Sequence, residues 1–318
     1  MPSNLIFWVL FIVFVLVMLA LDLGVFNRKA HVVHFKEAIG WTVLWFCLAG
    51  LFAVLLSQYG HIMTGNHSKP NADLSLEFVT GYLIEESLSV DNLFVFLLIF
   101  RYFKVPAEQQ HRVLFWGIIG ALIMRAFFTF AGVALINRFE WVIYVFGAFL
   151  VYVGIKLLFQ KEDSMRLENS RMLRFFQKHI RLTKDYEGGR FMVLRDGVRY
   201  FTPLALVLLV IETSDVIFAA DSIPAILAIT RDTFVVFTSN VFAILGLRSL
   251  YFALSGLMRT FHLLHYGLAV ILTFIGVKML GSHYFEIPIV IALAVVVGVL
   301  AISVAASLVF PPKIPKHA

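Results

Sequence analysis

Nine apolar stretches, each long enough to cross a lipid bilayer as a helix, occupy most of this chain and leave it few folds to choose from. They fall at residues 4–25, 39–59, 75–100, 113–135, 140–159, 202–220, 235–256, 266–281 and 287–309. A bilayer core takes about 20 residues of helix. Without water there, the backbone must bond to itself, so only helices or a closed barrel can span it. Barrel strands would alternate over about ten residues, and these runs are longer and do not alternate. The reading is therefore an all-α polytopic membrane protein with about nine transmembrane helices. A composition of 60% hydrophobic and 14% charged residues agrees. The residues before the first run, MPSN, carry no basic side chain, and the run exceeds the apolar part of a signal peptide. It reads as a span, not a leader.

Charge distribution gives the orientation. The connections after spans 1, 3, 5 and 7 and the C-terminal tail hold 19 of the 26 Lys and Arg residues, and the alternate connections hold 3. The positive-inside rule then places the N-terminus outside and the C-terminus in the cytoplasm, most simply of a bacterial inner membrane. The net charge of +6 is accounted for by this asymmetry and does not point to nucleic acid. Residues 160–201 form the one sizeable extramembrane connector. MLRFFQKHIRL, with a basic and an apolar face, suits the lipid surface, and RFMVLRDGVRYF reads as a β-hairpin turning at Asp196-Gly197. Lys156, ending span 5, can snorkel toward the basic side. The single cysteine, Cys47, reads as a small buried residue in span 2.

Two spans break the apolar rule. Gly81 to Phe100, GYLIEESLSVDNLFVFLLIF, carries Glu85, Glu86, Asp91 and Asn92; Val210 to Leu227 carries Glu212, Asp215 and Asp221. Ionisable residues inside a span are costly and mark pathways or relays. Asp22, near the cytoplasmic end of span 1, reads as an interfacial residue or as an extra carboxylate at a cytoplasmic mouth.

The two acidic spans are also copies of one another. EESLSVDN lies on DVIFAADS, pairing Glu85 with Asp215 and Asp91 with Asp221. Downstream, Arg125 pairs with Arg248, Tyr144 with Tyr266, and VGIK at 153–156 with IGVK at 275–278, at offsets falling only from 130 to 122. Each repeat holds three spans, about 75–159 and about 202–281. An odd number inverts the second copy, an architecture that places ion sites near the midplane between the repeats. Residues six apart on an unbroken helix point about 120° apart. Either the helices are interrupted between their acids, which Pro224 favours in the second copy, or the acids face different neighbours. Glu212 and Asp215, three apart, share a face.

Six intramembrane acids face two central cations, Arg125 and Arg248. Protons or a bound cation must supply the balance, and a divalent cation exchanging with protons would use both. Ser87, Ser89, Asn92, Ser214, Ser222 and Asn240 around the acids are oxygen donors, and no His or Cys accompanies them. Such a site suits Mg²⁺, Ca²⁺ or Mn²⁺. Arg125 and Arg248 also fit a purely structural role, tying helices together. Glu86 is the acid with the weakest case as a ligand. No phosphate-cradling glycine motif, GxSxG or HExxH is present, which argues against an enzyme or an ATP-driven pump.

The motifs GYLIEESLSVDNLFVF, ETSDVIFAADSIPAI and TSNVFAILGLRSLYF resemble those of the TerC family of integral membrane proteins, most closely its alkali-induced type, over nearly the whole chain. The resemblance implies a cation exporter of the LysE-like superfamily, with manganese efflux the activity expected. By motif, Glu85, Asp91, Asn92, Glu212, Asp215, Asp221 and Asn240 match the family's polar positions, whereas Glu86 stands where relatives can carry Lys. The expected function is export of Mn²⁺ in exchange for protons, with no resident cofactor, and with the metal ion, protons and membrane lipid as partners. Arg125 and Arg248 would pair with the carboxylates when metal is absent. The alternatives are a Ca²⁺/H⁺ exchanger of the same architecture and a non-transporting membrane assembly or insertion factor.

Overall fold

The computed structural model describes residues 3–21, 35–139, 141–159, 183, 185–195, 198–255, 263–281 and 287–310. Helices dominate them: α1 (Ser3–Leu21), α2 (Phe35–Thr64), α3 (Asn71–Tyr102), α4 (Ala107–Arg138), α5 (Val142–Phe159), α6 (Pro203–Leu227), α7 (Thr233–Ser255), α8 (Leu264–Leu280) and α9 (Ile289–Val309). Six of these are long and apolar enough to cross a membrane by composition alone, and α8 is a shorter apolar helix. The other two, α3 with 32 residues and α6 with 25, have the length but carry the acids.

The helices alternate in direction. One cavity is lined by Asn4 at the start of α1, Thr64 at the end of α2, Ile143 at the start of α5, Leu227 at the end of α6, Phe234 at the start of α7 and Lys278 near the end of α8. Lys69, just ahead of α3, lines it too. Hence α3 begins at the end of the bundle where α6 finishes, and the two acidic helices run antiparallel.

Helices α2, α3, α4 and α6 are longer than hydropathy suggests. The sixth span was expected to end at 220, yet α6 continues through Asp221 and Pro224 to Leu227. Pro224 removes one intrahelical bond close to the helix end, a position where little ladder remains to be lost. The turn is held by burial: Ile223, Ala225, Ile226 and Leu227 are all buried. The anticipated break between Asp215 and Asp221 is therefore absent, and α3 is likewise continuous past Glu85 and Asp91.

Packing divides into apolar layers. Near the cavity end, Phe11, Phe52, Phe78, Phe234 and Phe242 of α1, α2, α3 and α7 form an aromatic cluster with ring centroids 5.0 to 6.3 Å apart. At the opposite end Phe100, Val113, Leu206, Val210 and Tyr251 close the bundle. Between α5 and α8 the backbones nearly touch. A Cβ on Gly276 would lie 2.7 Å from the Gly147 carbonyl oxygen, and one on Gly154 would lie 2.8 Å from that of Ala269. The same two glycines abut Val151 and Thr273 respectively. Exchanging residues by the 122-residue offset maps Gly154 onto Gly276, Gly147 onto Ala269 and Val151 onto Thr273, so each contact becomes the other.

The connector shows the expected hairpin. β1 (Met192–Arg195) pairs antiparallel with β2 (Val198–Phe201), Arg195 opposite Val198, which leaves two residues for the turn, as Asp-Gly requires. It docks on the α3–α4 turn: the Tyr186 hydroxyl donates to the Phe103 carbonyl at 2.7 Å, and Arg112 donates to the Gly189 carbonyl at 2.5 Å. The surface helix anticipated around 172–182 lies outside the described residues. Lys156 is exposed, as snorkelling requires. Cys47 corrects its expectation: it is exposed on α2, because α2 buries its other face against α1, α3 and α7.

Candidate functional site

Among the described residues the largest fully buried side chain is Arg125, in the middle of α4. A guanidinium at that depth keeps its charge and must have partners. It forms an ion pair with Glu85 of α3, itself inaccessible to solvent. It also donates at 2.7 Å to Oδ1 of Asn240 on α7. Asn240 is fixed in turn, since its Nδ2 donates to the Val236 carbonyl one turn back at 2.7 Å. Three helices are thus tied through one cation.

The fourth wall is α6. Asp215 is 5% exposed and lies within the fields of Arg125 and Glu85. Its Oδ2 has no hydrogen-bond partner among the described residues. Ser222 stands beside Glu85, but the hydroxyl and the carboxylate do not reach hydrogen-bonding geometry. Arg125 is thus ion-paired with Glu85 of α3, and Asp215 of the antiparallel α6 lies in its field. A narrow void of about 10 Å³, room for about one water, adjoins Asp215 and is also lined by Arg248 of α7 and Gly117 of α4. Arg248 is buried, 8% exposed.

Glu212 lies one turn from Asp215 and closer to the α6 start. It is half-buried and packs against Gly120, where any side chain would overlap its carboxylate. That position suits a relay between the bundle centre and the end at which α6 begins. Glu86 faces elsewhere. It is buried, but it approaches Gly246 of α7 near Trp45 of α2, and its Oε2 has no hydrogen-bond partner among the described residues. Asn92 is buried on α3. Ser87 and Ser214 donate to the carbonyls of Leu83 and Val210 in their own helices, at 2.6 and 2.8 Å. A hydroxyl committed in this way still offers an oxygen lone pair.

Asp91 and Asp221 sit within α3 and α6, but their side chains lie outside the described residues, as does Asp22 altogether. Among the described residues no three acidic, His or Cys side chains converge as a metal centre would. The described part of the site is the Arg125–Glu85 ion pair, held to Asn240, with Asp215 in its field. Sequence reading missed one ion pair altogether. Lys69 Nζ lies 2.5 Å from Oε1 of Glu77, a buried acid near the start of α3. The two are eight residues apart across a turn, a spacing that signals nothing.

A model of the integral membrane protein TerC family matches residues 71–313. The chain belongs to the TerC family. The match begins where α3 begins and takes in both acidic helices. A membrane protein of Myxococcus xanthus is 49% identical over 95% of this chain and 92% of its own. A Salmonella typhi protein, Alx, is 49% identical over 93% of this chain and 92% of its own, and the Alx of Escherichia coli K12 is 46% identical over the same shares. Both bear the name of a proposed membrane-bound redox modulator. No solved structure matches the chain. The matched residues take in Glu85 and Asn92 on α3, Glu212 and Asp215 on α6, and Asn240 on α7.

Proposed function

We propose that this TerC-family protein is a secondary transporter that exports a divalent cation, Mn²⁺ by the family resemblance, in exchange for protons. The observation that carries the reading is the buried cluster of Arg125, Glu85 and Asp215. Glu85 is ion-paired with the buried guanidinium, and Asp215 from the antiparallel helix lies in its field. A charge there is tolerated only when it is matched. Arg125 holds the place of the transported ion: with Glu85 engaged, the site is neutralised and closed. An arriving metal ion takes Glu85 and Asp215 as hard oxygen ligands, with Asp91, Asp221 and Asn92 completing the set, and Arg125 retreats onto Asn240. Protons then compete with metal for the same carboxylates, and Glu212 passes them toward the cytoplasmic end.

The reciprocal glycine contacts of α5 and α8 and the opposite directions of α3 and α6 support two inverted three-helix repeats. Rocking of one repeat on the other would expose the site alternately to each side. The N-terminus outside and the C-terminus in the cytoplasm follow from the basic connections.

The name borne by the Alx relatives suggests redox chemistry. The sequence holds one cysteine, Cys47, so it offers no dithiol within the chain, and the buried acids would have no part in such a role. The test is Mn²⁺ uptake into inverted vesicles against a proton gradient. Glu85→Gln and Asp215→Asn are each expected to lower the initial rate at least about tenfold, as for loss of a charged ligand. Normal rates in both variants would overturn the site, and Ca²⁺ competing as well as Mn²⁺ would favour the calcium exchanger.

A further inference from the structure

The cavity at the α6 finish has a charge pattern that the transport reading does not use. By the orientation inferred from the basic connections, this is the outer end of the bundle, where cations are scarce. Only Lys69, Arg138 and Arg231 occur in the outer connections. Two of the three, Lys69 and Arg231, line this one cavity of about 980 Å³, and Lys278 joins them from the end of α8.

The acids nearby are already committed. Glu77 pairs with Lys69 at 2.5 Å. Asp232 Oδ1 accepts from the backbone N–H groups of Phe234 and Val235 at 3.1 and 3.2 Å, capping α7, and its Oδ2 accepts from Asn66 at 3.3 Å. Among the described residues neither Arg231 nor Lys278 has an ion-pair partner. Lys278 is half-buried and sits in the fields of Glu77, an opposite charge, and of Lys69, a like one. With Glu77 committed to Lys69, Arg231 and Lys278 remain open to an anion from outside the chain.

The opposite wall is apolar. Trp8 of α1 and Phe130 of α4 line it with ring centroids 5.7 Å apart. The neighbouring α1 face, with Leu5, Ile6 and Val9, is exposed in the manner of a lipid-facing helix. A cationic floor and an aromatic wall at the depth of the headgroups match an amphiphile with a negative head.

We propose that this vestibule binds a phosphate-bearing anion, the headgroup of an anionic phospholipid of the outer leaflet. Arg231 and Lys278 grip the phosphate, and Trp8 and Phe130 receive the upper acyl chain. Arg is suited to bidentate phosphate contact, and Lys serves as a point charge. A choline headgroup would bring a fourth cation among three and is disfavoured. An occupied vestibule would tie α1, α6 and α8 together at their outer ends.

The test uses the full chain in neutral detergent, with thermal unfolding followed while phosphatidylglycerol, phosphatidylcholine or inorganic phosphate is titrated. Phosphatidylglycerol should raise the midpoint at concentrations where phosphatidylcholine does not. The double variant Arg231→Gln/Lys278→Gln should lose apparent affinity at least about tenfold, as for two charge-assisted hydrogen bonds. Arg231→Gln alone, at an exposed side chain, gives a milder loss that stands even if the double variant folds poorly. Arg138→Gln, outside the cavity, should bind like the parent. Inorganic phosphate matching the phosphatidylglycerol effect would assign the same site to a soluble anion and overturn the lipid source. Equal responses to the two lipids, or an unchanged response in both cavity variants, would overturn the proposal.

Discussion

Replacing Arg125 by Met keeps most of the side-chain volume and removes the one charge that serves Glu85. The ion pair is buried from end to end, with Arg125 at 1% and Glu85 at 0% exposure. Removing one partner of such a pair costs about 3–5 kcal/mol, because the other is left charged and unmatched. Asn240 Oδ1 loses its donor as well, a part of that cost worth about 1–3 kcal/mol. Pairing Arg125→Met with Glu85→Gln removes both charges, and the remaining groups are neutral polar ones of similar shape. The double variant should therefore be more stable than the sum of the two singles predicts, with a coupling of about 1–3 kcal/mol. The measurement is unfolding in mixed dodecylmaltoside and SDS micelles, followed by circular dichroism, for parent, both singles and the double. A cost below about 1 kcal/mol for Arg125→Met would show that the pair is not the keystone described. Additive singles would show that Arg125 stabilises through something other than Glu85, and the picture of a guanidinium standing in for the transported ion would fail with it.

Three further outcomes are expected. Gly276→Ala places a methyl 2.7 Å from the Gly147 oxygen and 2.8 Å from the Val151 nitrogen. Neither backbone atom can yield cheaply, so unfolding should ease by about 1–3 kcal/mol, whereas Gly298→Ala, with nothing within 4 Å, should be within about 0.5 kcal/mol of the parent. Tyr186→Phe removes the bond to the Phe103 carbonyl, about 1 kcal/mol, and should raise hydrogen exchange in the connector. Tyr186 itself, its hydroxyl pushed up to about 12 by burial, should not titrate by absorbance below about that pH. Burial also raises the Asp232 carboxyl above its ordinary value of 3.8, although its hydrogen bonds to Val235, Asn66 and Phe234 and the charge of Lys69 oppose the rise. A carboxyl raised on folding gives stability that is full below the unfolded value and lost as pH climbs through the folded one. Asp232→Asn keeps a capping oxygen and cannot titrate, so its midpoint should gain on the parent as pH rises from about 4; a constant difference between the two would refute the assignment.

Much of the fold was legible because a bilayer demands a signal every twenty residues. All nine apolar stretches correspond to described helices, and the hairpin appeared where Asp-Gly asked for it. The end of α6 was misjudged because proline rules are local: Pro224 disfavours a helix in isolation, but Ile223, Ala225, Ile226 and Leu227 hold the turn by tertiary burial. The site was legible in parts. Residue type alone marks Glu85, Asp215 and Arg125, since a charge within an apolar run has few explanations. Their partnership is another matter. That Arg125 takes Glu85 and Asn240 depends on α4 lying against α3 and α7, which no spacing along the chain records. The vestibule was invisible for the same reason: Lys69 and Arg231 come from two separate connections and Lys278 from the end of α8, each unremarkable by itself. Cys47 was misplaced because hydropathy cannot separate a helix face turned to lipid from one turned to protein.

The continuous helices sharpen what the site must be. In transporters whose spans are broken, freed carbonyls supply ligands and the helix ends supply a dipole. Here α3 and α6 pass through the centre unbroken, so backbone oxygens remain committed to their own ladders and side chains must do the coordinating. Residues six apart on one unbroken helix diverge by about 120°, so a common centre needs acids from both helices. Glu85 of α3, ion-paired with Arg125, and Asp215 of the antiparallel α6, in the field of the same guanidinium, stand in that relation. It follows that neither helix holds a site alone, and that a small relative movement of α3 and α6 changes the carboxylate spacing at once. On the proposed transport reading, affinity for the ion would then be tied to the relative position of the two repeats, which is the coupling that alternating access needs. Arg125 would complete that logic: once the ion had left, the guanidinium would neutralise what remained, so the empty bundle would carry no bare buried charge while it returned.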